Sequence, residues 1–191
     1  MQPIAIHTQS ANLTEEQFYM LCADNNELRL ERDKDKNIIV MTPSFSKTGM
    51  YHSNIGYELN VWNKKNKSGI VFDSSAGFTL PNTAMRAPDV SWISNERWNS
   101  LSEKEKDKFA HVCPDFVIEV RSDSDSLKQQ KEKMEEWITN GCRFAWLIDI
   151  ENKTTLIYKP NTEITEQPFT TTLSGENILP GFELKLSEII S

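Results

Sequence analysis

Alternation of apolar and polar residues first becomes regular in ELRLER (27–32) and NIIVMT (37–42). These flank the turn-like DKDK and predict a hairpin with one wet face. Ahead of it, Thr14-Glu15-Glu16-Gln17 forms a capping box, in which the Thr side chain takes the amide three residues on and Gln reaches back. A short helix ending near Asn25 follows from it. Between about Ser46 and Lys65, Ile55, Leu59 and Trp62 fall at helical spacing, which predicts the longest early helix. Three strands are expected next, GIVFDS (69–74), GFTLP (77–81) and MRAPDVSWI (85–93), punctuated by Ser/Gly and Pro/Asn signals. A second capping box at Ser102-Glu103-Lys104-Glu105 opens a short charged helix, and the run PDFVIEVRSDSD (114–125) reads as a strand. From about Ser126 to Asn140 the stripe Leu127, Met134, Trp137 and Ile138 predicts an inward-facing helix, with Gly141 as its left-handed terminator. RFAWLIDI (143–150) and TTLIYKP (154–160) form a second hairpin, and LPGFELKLSEII closes the chain. No internal repeat, low-complexity tract or linker interrupts this order. The expectation is one domain over 1–191, in which a helix and hairpin (about 1–43) precede the core.

Composition narrows the class. A chain of 191 residues with 38% hydrophobic residues, five Trp and nine Phe can bury a real core. No apolar run approaches the roughly 18 residues of a membrane span, and MQPIAIHTQS lacks the basic start and apolar stretch of a signal peptide, so a cytoplasmic protein without a membrane partner is expected. Cys22, Cys113 and Cys142 are odd in number and far apart, which predicts buried thiols rather than disulfides or a zinc knuckle. His7, His52 and His111 show no HxH or HExxH spacing, leaving a catalytic zinc site without ligands. The net charge of −7 argues against a generally basic nucleic-acid coat while leaving room for a local basic groove.

Candidate chemistry comes from charge placed where an apolar strand should have none. In PDFVIEVR, residues 115, 117, 119 and 121 share one face, so Glu119 and Arg121 stand roughly 6–7 Å apart on it. Taken alone, such a pair can be an exposed ion pair at the end of a strand, worth under about 1 kcal/mol. A second carboxylate, Asp89 in RAPDVSW, sits behind a Pro inside another apolar strand. Two strands of one sheet that each deliver an acid point to a shared site. A divalent metal accounts for such a gathering: Mg²⁺ takes oxygen ligands, commonly one or two carboxylates with substrate phosphate and water, and can polarise a phosphodiester. Asp115 lies four residues from Glu119 on the same strand, roughly 13 Å away and too far to share an ion. Asp89 is therefore the expected ligand and Asp115 a strand-start residue.

Pro88-Asp89, about thirty residues before Glu119-Val120-Arg121, resembles the motif of the PD-(D/E)XK nuclease superfamily and, within it, the Uma family of putative restriction endonucleases. The likeness runs through FDSSAGFTLPN (72–82), RAPDVSWI (86–93), PDFVIEVRSDSDS (114–126), the helix up to Lys133 and Trp137, RFAWLID (143–149) and LPGFELKLSEI. The resemblance implies an α/β (α+β), restriction-endonuclease-like fold, a mixed central β-sheet flanked by helices. It implies Asp89 and Glu119 as ligands of Mg²⁺ (or Mn²⁺), with a basic third member of the site. Here that position holds Arg121 in place of Lys; a guanidinium stays protonated and cannot be a general base, but it can steady a phosphate. Lys133 matches the family's helical lysine and can supply the ammonium. Glu58, on the long helix where superfamily members often place an extra acid, and Asp73, in a loop near the site, are additional candidates beside their plainer readings as a solvent-facing acid and a turn residue. Of Ser122, Ser124 and Asp125, one is expected to cap the helix of Lys133.

The clusters Lys64, Lys65, Lys67 and Lys128, Lys131, Lys133 would form a phosphate-binding rim if both lie beside the acids, although such clusters are usually solvated helix faces. Trp92 and Trp98 could stack bases, but core packing is their default. Two functions follow. One is a Mg²⁺-dependent DNA endonuclease, a phosphodiester hydrolase in which Asp89 and Glu119 hold the ion while Arg121 and Lys133 steady the phosphate. The other is a non-catalytic nuclease-fold protein that binds nucleic acid or a protein partner. Cutting two strands would suit a homodimer.

Overall fold

The computed structural model describes residues 4–11, 13–122 and 125–190. Strand β1 (Ile4–Ile6) precedes α1 (Glu15–Asp24), whose Thr14–Gln17 capping box is formed as read from the sequence. β2 (Arg29–Arg32) and β3 (Ile38–Met41) make the expected antiparallel hairpin, its turn closed by Asp33 accepting from the Asn37 backbone and side chain. α2 (Ser46–Asn66) is the longest helix and buries Tyr51, Ile55, Leu59 and Trp62 at three- and four-residue steps.

β4 (Gly69–Asp73), β5 (Phe78–Thr79), β6 (Met85–Arg86) and β7 (Val90–Ser94) follow, then the short helices α3 (Asn95–Asn99) and α4 (Glu103–Lys106). β8 (Phe116–Arg121), α5 (Leu127–Thr139), β9 (Phe144–Asp149) and β10 (Thr154–Tyr158) form the centre. β11 (Thr165–Pro168), β12 (Thr172–Ser174), β13 (Glu183–Lys185) and α6 (Leu186–Ile189) complete the chain.

The principal sheet has the order β11-β10-β9-β8-β7-β4, antiparallel throughout except for the parallel β8–β9 pair that α5 connects. All six residues of β8 and of β9 are buried, as expected for central strands covered on both faces. On one face Ile118, Phe116 and Trp146 pack against Ile55 and Leu59 of α2 and against Phe182 and Leu184 of the tail. The opposite face sets Val117, Ala145 and Leu147 against Met134 and Trp137 of α5. The inward stripe read on that helix is thus present, and Gly141 follows its end at φ +104°. Among the described residues no helix is long and apolar enough to cross a membrane.

A second sheet, β1-β3-β2-β6-β5, corrects the expected strand over 85–93. That segment is two strands. Met85 pairs with Arg32 in the second sheet, whereas Val90–Ser94 pair with β4 and β8 in the principal one. Proline lacks the N–H a ladder needs and constrains its predecessor, so Ala87-Pro88 is a natural place for the chain to change sheets. Asp89 consequently stands at a break between strands rather than mid-strand. The basic residues at 64, 65 and 67 are exposed at the end of α2, with Lys64 about 18 Å along the axis from His52, too far to rim a site near Asp89.

Candidate active site

The β7–β8 register brings the two predicted acids together. Val90 lies opposite Ile118 in an antiparallel ladder, so one step further Asp89 faces Glu119. The Val120 N–H donates to Asp89 Oδ2 at 2.8 Å, which fixes that carboxylate against the end of β8. Glu119 is held from α5: Trp137 Nε1 donates to its Oε1 at 2.9 Å, and Lys133 Nζ lies 2.9 Å from the same oxygen. Helical spacing explains the pair, since Lys133 and Trp137 are four residues apart and share the face that α5 turns to the sheet.

Lys133 also contacts Glu31 Oε1 at 3.3 Å and the Ala87 carbonyl at 3.5 Å. Glu31 is the residue that sequence reasoning missed. It comes from β2 and is buried, accepting from Arg86 Nη1 at 3.0 Å and from the Ala87 N–H at 3.2 Å; Arg86 in turn binds Glu136 at 2.6 Å. His52, on α2, places Nε2 3.5 Å from Asp89 Oδ2. Its lone position in the sequence offered no spacing signal.

Burial raises the Glu119 carboxyl to about 7; Lys133 opposes that rise, while Asp89 and Glu31 add to it. Asp89 is raised to about 6 by burial, against the pull of Lys133 and the Val120 N–H. Glu31, which burial alone would push up, is held below its usual range by Lys133, Arg86 and the Ala87 amide. For Lys133, burial is outweighed by Glu119, Glu31 and Asp89, so its ammonium is held charged well above the ordinary range. Burial lowers His52 and favours its neutral ring. Two carboxylates costly to ionise beside one firmly charged lysine form a cluster of shifted groups of the kind that gathers at functional sites.

Asp89, Glu119, Lys133, Gln130 and His52 line a cavity of about 90 Å³. It joins two larger grooves. One, of about 830 Å³, runs along α2 past Asp89, His52 and Asp73; the other, of about 650 Å³, passes between the β2–β3 hairpin and α5 and shares Lys133 and Gln130. The acids therefore sit at the waist of a cleft roofed by the hairpin.

Other sequence candidates lie apart from this centre. Arg121 shares the strand face of Glu119, but its guanidinium binds Asp149 at 2.8 Å, Glu151 at 2.6 Å and the Asp125 carbonyl at 3.0 Å. The parallel register places Arg121 directly beside Asp149, which is why the neighbouring strand captures it. Glu58 is half-buried on α2, six residues from His52 and so about 120° round the helix from it; it lines neither the cavity nor the α2 groove. Asp73 borders that groove while its carboxylate accepts the Ser75 N–H at 2.9 Å and hydroxyl at 2.5 Å, a turn contact that keeps its pKa low.

Asp115, read as a strand-start residue, is fully buried and accepts from the Ser94 N–H at 2.8 Å with Arg97 and Arg143 beside it. The cap of α5 is Ser126, not Ser122 or Asp125, and Ser124 lies outside the described residues. Trp92 is core, its Nε1 donating to Asn63. Trp98 packs beside Phe72. Cys113 and Cys142 are buried thiols, whereas Cys22 is only partly buried.

Two carboxylates suit a hard divalent ion, which commonly takes one or two from protein. Asp89 Oδ1 and Glu119 Oε2 accept no hydrogen bond from a described residue, so each acid keeps one oxygen for a ligand. Among the described residues no group of three or more His, Cys, Asp or Glu is placed to hold a metal.

A family model described as Uma2, putative restriction endonuclease, matches residues 15–187, which bears out the resemblance carried by the motif blocks. Among solved structures, the chain is similar to a putative nuclease belonging to DUF820 from Anabaena variabilis. The TM-score is 0.70 at 19% sequence identity, over 86% of this chain and 90% of that one. At that identity the likeness is one of fold, a mixed sheet flanked by helices. No curated protein matches the chain.

Proposed function

We propose that this chain, which belongs to the Uma2 family of putative restriction endonucleases, is a divalent-metal-dependent nuclease that hydrolyses DNA phosphodiester bonds in the cleft at Asp89 and Glu119. The observation that carries the reading is the convergence of Asp89, Glu119 and Lys133 on one cavity, with Lys133 Nζ 2.9 Å from Glu119. Asp89 and Glu119 would hold Mg²⁺ or Mn²⁺. When bound, such an ion supplies positive charge against the scissile phosphate and acidifies water. Lys133 stays protonated, so it serves as a donor to a non-bridging phosphate oxygen and stabilises the charge that gathers there. The Val120 N–H and the Trp137 indole hold the two carboxylates in place, which keeps their free oxygens aimed at the ligand. Arg121 has a different task in this reading: it fastens β8 to β9 through Asp149. Hydrolysis adds water to phosphorus and breaks one P–O ester bond, leaving a phosphate monoester and a hydroxyl.

The test pairs calorimetric titration of Mg²⁺ and Mn²⁺ with a plasmid nicking assay on wild type, Asp89→Ala and Glu119→Ala. Metal binding and nicking are expected in the wild type and in neither variant. Retained nicking in a folded Glu119→Ala protein removes the site assignment. Metal and DNA binding without nicking in the wild type would favour a nuclease-fold protein that holds nucleic acid without cutting it.

A further inference from the structure

The two acids leave a hard cation short of protein oxygen, and Gln130, which lines the cavity with them, has a side-chain oxygen that no described residue bonds. Gln130 Oε1 is buried and has no hydrogen-bond partner. Eight buried side-chain polar atoms share that condition among the described residues, and only Gln130 Oε1 and His52 Nε2 belong to residues lining the cleft. His52 Nε2 already has the Asp89 carboxylate 3.5 Å away. For Gln130 Oε1, no hydrogen-bond partner is present among the described residues. Its backbone belongs to the first turn of α5, where its N–H bonds to the Ser126 carbonyl, and it precedes Lys133 by three residues and Trp137 by seven. All three therefore lie on the face of α5 that meets Glu119. A buried amide carbonyl is a strong acceptor, and leaving it without a donor is costly unless a ligand completes it.

We propose that Gln130 is the third protein oxygen ligand of the divalent ion, its Oε1 joining Asp89 Oδ1 and Glu119 Oε2; this rests on the reading of the two acids as metal ligands. Amide carbonyls are ordinary ligands of hard cations, and a neutral third donor raises the coordination number without adding negative charge to an already crowded pair of carboxylates. A water could donate to at most two of three such acceptors, whereas a cation satisfies all three. The proposal also accounts for Lys133 leaving Gln130 unbonded: its ammonium is taken up by Glu119, Glu31 and the Ala87 carbonyl.

Calorimetric titration of Mn²⁺ alone into wild type, Gln130→Leu, Gln130→Glu and Asp89→Ala tests it, with circular dichroism on each sample to establish folding. One ion per chain is expected in the wild type. Gln130→Leu should weaken its Kd by about tenfold. Gln130→Glu keeps an oxygen of the same reach and should bind at least as tightly as wild type, which separates ligand loss from a disturbed fold. An unchanged Kd in Gln130→Leu, with binding abolished in Asp89→Ala, overturns the role of Gln130 and leaves the two acids as ligands. Weakening in Gln130→Glu equal to that in Gln130→Leu also overturns it. Absence of binding to wild type at millimolar Mn²⁺ overturns both this inference and the metal-site reading beneath it.

Discussion

Glu119→Gln should stabilise the metal-free protein, by an amount that grows as pH rises from about 4.5 to about 7. Glu119 is 3% exposed, and burial raises its carboxyl from an ordinary 4.5 to about 7. A folded-state pKa above the unfolded one means that the folded protein holds the proton more tightly. The associated stability is full below about 4.5, falls as pH rises through the window up to about 7, and is missing above it. At roughly 1.4 kcal/mol per pH unit, that window corresponds to about 3 kcal/mol at pH 8 and to under about 1 kcal/mol at pH 5. Glutamine cannot ionise, keeps an oxygen for the Trp137 indole, and leaves Lys133 paired with Glu31. The variant should thus exceed wild type by up to about 3 kcal/mol at pH 8. For a chain of this length that is a rise in Tm of roughly 6–12 °C, with little difference at pH 5. Thermal unfolding followed by circular dichroism in EDTA at both pH values measures it. Saturating Mg²⁺ should then reverse the order at pH 8, because ligand binding stabilises only the protein that binds. A variant less stable than wild type in EDTA at pH 8, or shifted equally at both pH values, would refute the claim that Glu119 carries an ionisation penalty.

Other substitutions separate site from scaffold. Arg121→Ala leaves the buried Asp149 without its cation and should cost about 3–5 kcal/mol in urea unfolding while Mn²⁺ affinity is unchanged; a loss of metal affinity with normal stability would return Arg121 to the active site. Lys133→Met should leave Mn²⁺ binding intact or tighter, since a competing cation 2.9 Å from Glu119 is gone, while nicking falls at least about a hundredfold; nicking at the wild-type rate excludes Lys133 as the phosphate donor. Asp115→Ala removes the acceptor of the Ser94 N–H and the partner of Arg97 and should lower stability by about 3 kcal/mol without changing the Kd for metal. A changed Kd would mean that Asp115 communicates with the ion.

The acids were legible because each broke a local rule: a carboxylate inside an apolar run is expensive, so Asp89 and Glu119 stood out from their neighbours. Helices were legible for the same reason in reverse, since Ile55, Leu59 and Trp62, or Met134 and Trp137, repeat at the helical period and do pack inward. Glu31 broke no rule. In ELRLER it reads as the polar half of an alternating strand, and its burial depends on β2 meeting β6 across some fifty residues of chain. The capture of Arg121 by Asp149 was hidden for a similar reason, because only the β8–β9 register reveals that the two stand side by side. The break at Ala87-Pro88 was visible as a proline, but continuous hydrophobicity on both sides masked the change of sheet. Gln130 carries no charge and sits among polar neighbours, so only a buried, unpartnered oxygen marks it out.

On the proposed reading, the two cations on this side of the sheet divide structural and chemical work in a way that follows from reach. A lysine at position 121 would project from the Glu119 face of β8 roughly 6–7 Å further along the strand. Arginine there is held by three acceptors, the Asp149 and Glu151 carboxylates and the Asp125 carbonyl, so turning it toward the acids would leave Asp149 buried and unpaired. Lys133 starts from the covering helix and meets Glu119 from above, with Glu31 and the Ala87 carbonyl as its other partners. A flexible ammonium with three donors can exchange one of these for a phosphate oxygen without leaving its carboxylates, whereas a clamped guanidinium cannot. The double variant Arg121→Lys, Lys133→Met restores a strand lysine but takes away the helical one. Because Asp149 and Glu151 would still face position 121, that lysine should remain with them and nicking should stay absent. Recovered nicking would mean that β8 can deliver the cation after all, and that position 133 is dispensable.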